Sequence, residues 1–264
     1  MPEGDTVWRA ARQLDRALTG RVLEVADFRV PRLATRDLVG ETVVGTRSVG
    51  KHLLTRIGEE VTLHTHLKME GAWHVHPRGA RWRRPGHEAR VVLATEDTEA
   101  VGFALGVVAL LSRSAEGDAV GHLGPDLLAP DWDAGESLRR LLADSSRPVH
   151  ETLLDQRVVA GIGSIYASEL CFVTGVHPGT PVGKVPRPER LLARARAMLQ
   201  NGTRHPEQAT TGDLRRGRRH WVYRRDRQAC RRCGTPVAVE MRGPEGRERA
   251  AYWCPACQPG PGAH

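Results

Sequence analysis

Residues 230–257 read CRRCGTPVAVEMRGPEGRERAAYWCPAC, and the spacing within them decides the fold of the C-terminal end. Two Cys-x-x-Cys pairs, Cys230/Cys233 and Cys254/Cys257, stand twenty residues apart. Each pair can bend a knuckle around one side of a tetrahedral ion, and the span between them suits a β-hairpin. That span is charged and turn-rich at Arg242, Gly243, Pro244, Glu245 and Gly246, so a metal is expected to stand in for a hydrophobic core. Neither pair lies where a strand runs into a helix, which argues against thiol–disulfide exchange. A structural Zn2+ held by Cys230, Cys233, Cys254 and Cys257 is therefore expected. Arg231, Arg232, Arg242, Arg247 and Arg249 would make this hairpin a basic finger suited to phosphate, with a solvated charged face as the plain alternative.

Working back from the finger, apolar stripes at helical spacing occupy 135–143, 148–158, 164–173 and 188–199. Pro148 and Pro188 suit first-turn positions, where a missing N–H is harmless. Residues 121–133, GHLGPDLLAPDWD, carry two prolines and two glycines and read as a linker. Before them the texture is β-type, with short runs at 21–25, 41–46, 52–57, 61–67, 72–75, 90–93 and 101–105 that point to a sandwich. Pro77 to His87 interrupts these runs with four arginines and reads as an exposed basic loop. Val7, Ala10, Ala11, Leu14, Ala17 and Leu18 form the stripe of a leading amphipathic helix that Gly20 can stop. An α+β multidomain chain follows: a β-sandwich with a leading helix over 1–120, a linker over 121–135, a helical domain over 136–220, the finger over 221–258 and a disordered tail over 259–264.

The chain has 264 residues, enough for one large domain or two modest ones. Lys and Arg number 39 against 31 acidic residues, a net charge of +8 that favours an anionic polymer such as nucleic acid. No apolar run approaches the ~20 residues that cross a bilayer. The opening Met1-Pro2-Glu3-Gly4-Asp5 lacks the basic and apolar stretches of a signal peptide, so the expected compartment is the cytoplasm. Paired cysteines there mean metal rather than disulfides, and the fifth, Cys171, sits in an apolar stripe as a buried helix residue. His64/His66 and His74/His76 alternate on strand-like runs and would share faces. A second metal site is the competing reading, against ordinary polar strand faces.

Five segments in fixed order carry a resemblance: Pro2-Glu3-Gly4; Gly50-Lys51-His52-Leu53-Leu54; His66-Leu67-Lys68-Met69-Glu70-Gly71; Asp155-Gln156 with Ala160-Gly161-Ile162-Gly163; and the four-cysteine finger. Together they resemble the formamidopyrimidine-DNA glycosylase / endonuclease VIII family, and its actinobacterial endonuclease VIII-like branch opening PEGDTV, from Pro2 to about Gln258. The resemblance implies a catalytic N-terminal sandwich, a helix–two-turns–helix domain and a zinc finger, with damaged double-stranded DNA held between the halves. A nucleoid-associated protein with no small-molecule cofactor is expected, and a monomer, because no amphipathic helix is left over for a partner. The activity implied is that of a bifunctional glycosylase and abasic-site lyase.

By that resemblance, removal of Met1 frees the secondary amine of Pro2, which attacks C1′ of the deoxyribose. An α-amino group titrates at roughly 8, well below a typical lysine. Glu3 would serve acid–base work beside it, its plain alternative being compensation of the helix dipole. Lys51 corresponds to a strand lysine contacting phosphate, Arg249 to the finger arginine around the flipped nucleotide, and His66 and Gln156 to DNA-facing positions. Met69, between Lys68 and Glu70 and just before Gly71, is expected at a turn tip, where it would fill the space a flipped nucleotide leaves. Gly163 and Ser164 open a helix whose N–H groups make an anion site. Two positions depart from the pattern: Thr6 replaces a second glutamate, with Asp5 beside it as the compensating carboxylate, and Ser164 replaces an asparagine. Residues 201–220 look short for a loop covering oxidised purines, which favours oxidised pyrimidines and abasic sites. The alternatives are a purine-directed glycosylase, a catalytically silent lesion sensor, and a zinc-finger RNA-binding or regulatory protein.

Overall fold

Val7, Ala11, Leu14 and Leu18 are all buried on one face of helix α1, Gly4–Leu18. Asp5 lies in its first turn, where a carboxylate meets the positive helix end, and Arg9 one turn on pairs with it at 3.6 Å. The structure is a computed structural model that describes residues 2–260. Of the tail expected at 259–264, residues 261–264 fall outside the described residues, as does Met1. Contacts divide the chain into two compact units, Met1–His122 and Leu123–His264.

In the first unit, eight strands follow α1: β1 Val25–Phe28, β2 Val43–Val49, β3 His52–Ile57, β4 Val61–His66, β5 Ala72–Pro77, β6 Ala89–Ala94, β7 Thr98–Phe103 and β8 Val107–Ser112. They form two antiparallel sheets of order β1-β6-β7-β5 and β2-β3-β4-β8. Alternation sorts their side chains by face. Leu53, Ile57 and Leu63 from one sheet, Trp73, Val91, Leu93 and Ala100 from the other, and the stripe of α1 make one shared core. The expected sandwich is thus observed. The strand expected at 21–25 starts only at Val25, with Val22 reduced to a single bridge to Thr42. β8 and the short helix α2, Glu116–Val120, were not anticipated.

Outer faces carry the polar chemistry. On the sheet containing β3 and β4, His52, Arg56, Thr62, His64 and His66 alternate away from the core. Glu116 of α2 is clamped there, accepting from Arg56 Nε and Nη2 at 2.8 Å, Arg47 Nη2 at 2.9 Å and Thr62 Oγ1 at 2.6 Å. On the other sheet, Ala89, Val92, Val101 and Phe103 form a separate apolar cluster against which Trp82 packs.

The second unit holds α3 Ala134–Leu142, α4 Val149–Leu154, α5 Ser164–Thr174 and α6 Pro188–Gly202, then the finger hairpin β9 Ala238–Arg242 and β10 Arg249–Trp253. Its core gathers Leu141, Val149, Leu153, Ile162, Leu170, Leu191 and Leu199. The stretch read as a linker is folded against this unit: Leu127 is fully buried and Asp126 bridges Ala160 in parallel. The helix expected over 148–158 stops at Leu154. Asp155 turns out of the helix, and its carboxylate accepts from the N–H of Arg157 at 3.0 Å, offering the backbone a turn instead.

The arginine bonds, first among them those from Arg56, hold the Glu116 carboxyl below the usual carboxylate range. A depressed pKa stabilises the fold above the unfolded value of about 4.3 and loses that contribution as pH falls. Glu116→Gln should therefore lower stability by about 2 kcal/mol at pH 7, as expected for hydrogen bonds to a charged group. In denaturant titrations the gap from wild type should shrink steadily as the pH is lowered towards 2; a gap independent of pH would exclude the ionic clamp.

Candidate functional site

Pro2 lies half-buried just ahead of α1, and Glu3 at the cap position is fully buried with its backbone extended at φ −119°. Glu3 makes no side-chain cap bond to the helix. Asp5 accepts from Thr6 Oγ1 at 3.4 Å, while Thr6 Oγ1 in turn accepts from Arg9. The position expected to lack a carboxylate is thus built into a polar cluster with Asp5 and Arg9.

Lys51 was expected on a strand and is found in the two-residue turn joining β2 to β3, where Val49 pairs with His52. Gly50 enters that turn at φ 57°, the left-handed value a tight hairpin of this kind needs at its first position. Directly behind it stands a group of histidines. His52 Nδ1 and His64 Nε2 are 2.8 Å apart, and the rings of His66 and His122 lie 5.0 and 6.2 Å from that of His52. Burial, then the neighbouring imidazoles and Lys68, push His52 down to about 3. Burial, then Lys68 and Lys51, push His66 down to about 4. These rings are neutral near pH 7. His66 Nδ1 accepts the Lys68 N–H at 2.9 Å, which leaves its proton on Nε2, free to donate outward.

Met69 is 62% exposed in the turn between β4 and β5, as expected of a side chain at a tip. Gly71 closes this turn, because a Cβ there would meet the Leu67 carbonyl oxygen at 2.4 Å. The histidine pairs weighed as a second metal site separate: His64 and His66 face out from one sheet, while His74 and His76 face out from the other, beside Phe103. Among the described residues, only the four finger cysteines group as metal ligands.

In the second unit, Gln156 lies in a turn, not a helix, and is half-buried. Its Nε2 donates to Leu154 O at 3.0 Å and Ile162 O at 2.8 Å, and its Oε1 accepts the Gly161 N–H at 3.1 Å. The amide thereby braces the turn whose last residue, Gly163, caps α5 with an extended backbone at φ −130°. Ser164 is the first residue inside the helix, one place past the cap. Further along α5, Glu169 is fully buried and accepts from three successive backbone N–H groups, those of Trp221, Val222 and Tyr223, each at 2.8 Å, and from Thr210 Oγ1.

The finger packs on the same helix. Phe172 joins Val222, Cys230, Val237 and Cys254 in a small core, and Gln258 links the Cys254 N–H to Val176 O. The four cysteine sulfurs all lie within 4.8 Å of one another, with Cys233 and Cys254 3.4 Å apart. Four thiolates about 2.3 Å from one ion stand at such separations, so the residues fit a tetrahedral metal. The Thr235 hydroxyl and N–H, followed by Cys254, bring Cys233 down to about 6, whereas desolvation pushes Cys257 up to about 12. A cation would take the place of the remaining protons. Of the finger arginines, Arg231 donates to His220 O, Arg232 lies over Phe172, and Arg242 pairs with Glu240. Arg249 opens β10, exposed, with its Nη1 donating to Glu248 O at 3.1 Å.

Residues 1–104 match the formamidopyrimidine-DNA glycosylase N-terminal domain, and residues 123–212 match the formamidopyrimidine-DNA glycosylase H2TH domain. The chain is 52% identical to a probable endonuclease 8 2 of Streptomyces coelicolor, over 99% of this chain and 95% of that protein. The chain belongs to the formamidopyrimidine-DNA glycosylase / endonuclease 8 family. Other members include an endonuclease 8 2 of Mycobacterium tuberculosis, 49% identical over 98% of this chain and all of that one. A DNA-(apurinic or apyrimidinic site) lyase of Mycolicibacterium smegmatis is 48% identical over 98% and 99%. The fold matches that of Lactococcus lactis formamidopyrimidine-DNA glycosylase, solved bound non-covalently to DNA containing an abasic site, with a TM-score of 0.80 and 22% identity over 98% and 100% of the two chains. Among the described residues, no helix is long and apolar enough to cross a membrane.

Sequence reasoning missed Glu169, although a lone carboxylate within SIYASELCFVT is itself a signal of a buried, satisfied charge. For this family member, metal analysis should find an ion bound to the finger. Chelation should expose Cys230, Cys233, Cys254 and Cys257 to a thiol reagent while the wholly buried Cys171 stays protected. Cysteines equally reactive before and after chelation would exclude a metal centre.

Proposed function

We propose that this protein is a bifunctional DNA glycosylase and abasic-site lyase that acts on damaged double-stranded DNA through the amine of Pro2. The observation that carries this reading is the 48% identity, along nearly the whole of both chains, to a relative named a DNA-(apurinic or apyrimidinic site) lyase. Pro2, only partly buried ahead of α1, supports it.

With Met1 removed, the Pro2 nitrogen attacks C1′ and the C1′–N bond to the base breaks, its electron pair leaving with the base. Loss of the remaining amine proton and opening of the ring leave an iminium on C1′. That iminium draws electrons from the C2′–H bond, and departure of the 3′ phosphate completes β-elimination. Glu3, buried beside the amine, is the group for proton transfer at the sugar. Lys51 and His66 supply a charge and an Nε2–H donor for phosphate, Met69 fills the space left in the stack, and the N–H groups of Gly163 and Ser164 take a second phosphate. Arg249 adds a guanidinium from the finger, which we assign a structural Zn2+ on its four-sulfur donor set. The role of Gln156 is to hold the Gly161–Gly163 turn, one step removed from DNA.

Oxidised pyrimidines and abasic sites are the inferred substrates. Residues 210–219 fold tightly on themselves, Thr210 and Thr211 both donating to Arg219 O, and leave little chain to cover a purine. DNA as substrate places the protein with the nucleoid in the cytoplasm.

Incubation with duplex carrying an abasic site or an oxidised pyrimidine, followed by borohydride, should trap a covalent protein–DNA adduct that maps to residue 2. Pro2→Gly should lose it while still binding the duplex. Lesion binding by wild type without an adduct on either substrate would overturn the catalytic reading and leave a silent lesion-binding protein.

A further inference from the structure

The loop between β5 and β6 is basic, rigidly anchored and unused by the chemistry above. Residues 77–87 contain four arginines and no acidic residue. Trp82 fastens the loop to the outer face of its sheet: its ring meets Phe103 edge-on at 5.7 Å, and its Nε1 donates to Glu99. The guanidinium of Arg29 covers the indole at 5.2 Å and reaches Gly86 O. Arg84 bonds Glu88 and, at 3.0 Å, the carbonyl of Glu70, which ties the loop to the Met69 turn. Arg78 is taken up by Glu24.

Arg81 and Arg83 remain. Both are exposed, neither has an ion pair or hydrogen bond among the described residues, and the nearby carboxylates Glu88 and Glu99 are already engaged. The loop curves around an open concavity lined by residues 80–86. Two like charges held one residue apart on a fixed loop repel each other, and an anionic chain passing over both relieves that repulsion. The placement is specific as well. Lys51, His66 and Lys68 stand at the β4 end of the Met69 turn, and Arg84, the neighbour of Arg83, reaches the other end of that turn at the Glu70 carbonyl.

We propose that Arg81 and Arg83 form a second phosphate-binding surface that grips the DNA backbone on the β5 side of the Met69 turn, extending the footprint past the lesion. This rests on the DNA-binding reading above. Only backbone contact is invoked, so the loop adds affinity and register rather than base choice.

Wild type and the Arg81→Ala/Arg83→Ala variant would be titrated by fluorescence anisotropy with a duplex carrying an uncleavable tetrahydrofuran site, from about 50 to about 200 mM salt. Loss of two phosphate contacts should reduce the slope of log K against log salt by about 2 and weaken binding roughly tenfold at the lower salt. The single-turnover rate on a saturating abasic duplex should stay within about twofold, and Arg81→Lys/Arg83→Lys should recover most of the slope. A double variant with wild-type slope and affinity overturns this proposal while leaving DNA binding intact. Wild type that fails to bind the duplex overturns both readings.

Discussion

A buried carboxylate organises the second unit. Glu169 sits in the middle of α5 with no exposure, where an ionised group is tolerable only if its lone pairs are met. Three successive N–H groups at 221–223 and the Thr210 hydroxyl meet them. The anchored segment leads directly into Cys230, and the residue before Glu169, Ser168, accepts the Tyr252 N–H of the finger at 3.3 Å. One helix therefore fixes three things: the Gly161–Gly163 turn at its N-terminus, the 210–223 segment at its middle, and the finger along its flank. Charged and polar bonds do this because the finger cannot. Its own apolar core is small and borrows Phe172 from the helix.

The first unit applies the same rule with the opposite layout. Its core lies between the sheets, so its polar chemistry is carried on outer faces and at strand ends. Glu116 clamps one outer face through two arginines and a threonine, and the neutral histidines continue that face to the tip where Lys51 turns over. Keeping His52 and His66 unprotonated matters there. Two more cations beside Lys51 and Lys68 would raise the repulsion at a spot already crowded with charge.

Features determined by local spacing were legible in the sequence, and features determined by pairing were not. The cysteine spacing, the stripe of α1 and the turn before Gly71 depend on a few neighbouring residues, and each is found as read. The strand lysine at Lys51 is implied by the resemblance alone; the apolar run read from the residues begins at His52, and only the Val49–His52 pairing shows that Gly50-Lys51 is the turn between two strands. The histidine pairs were assigned a common face because alternation tells which residues share a side of one strand. Which sheet that strand joins depends on contacts distant in sequence, and β4 and β5, though consecutive, belong to different sheets. The helix expected through Val158 failed at Asp155, where a side chain competing for the backbone outweighed an apolar stripe.

Net charge is the weakest of the sequence arguments, and the structure shows why. Of the five finger arginines that suggested a phosphate-binding face, Arg231, Arg232 and Arg242 spend their guanidinium groups on His220 O, Phe172 and Glu240. Elsewhere Arg47, Arg56, Arg78, Arg84, Arg147 and Arg157 are consumed by carboxylates of the same chain. An arginine so used has a geometry set by the fold, and presenting it to a phosphate would first break that bond. The cations that can meet a polyanion without such rearrangement are those left exposed on fixed backbone, such as Lys68 beside Met69, and Arg81 and Arg83 on their anchored loop. A footprint is therefore read by subtracting internal partners from the basic residues.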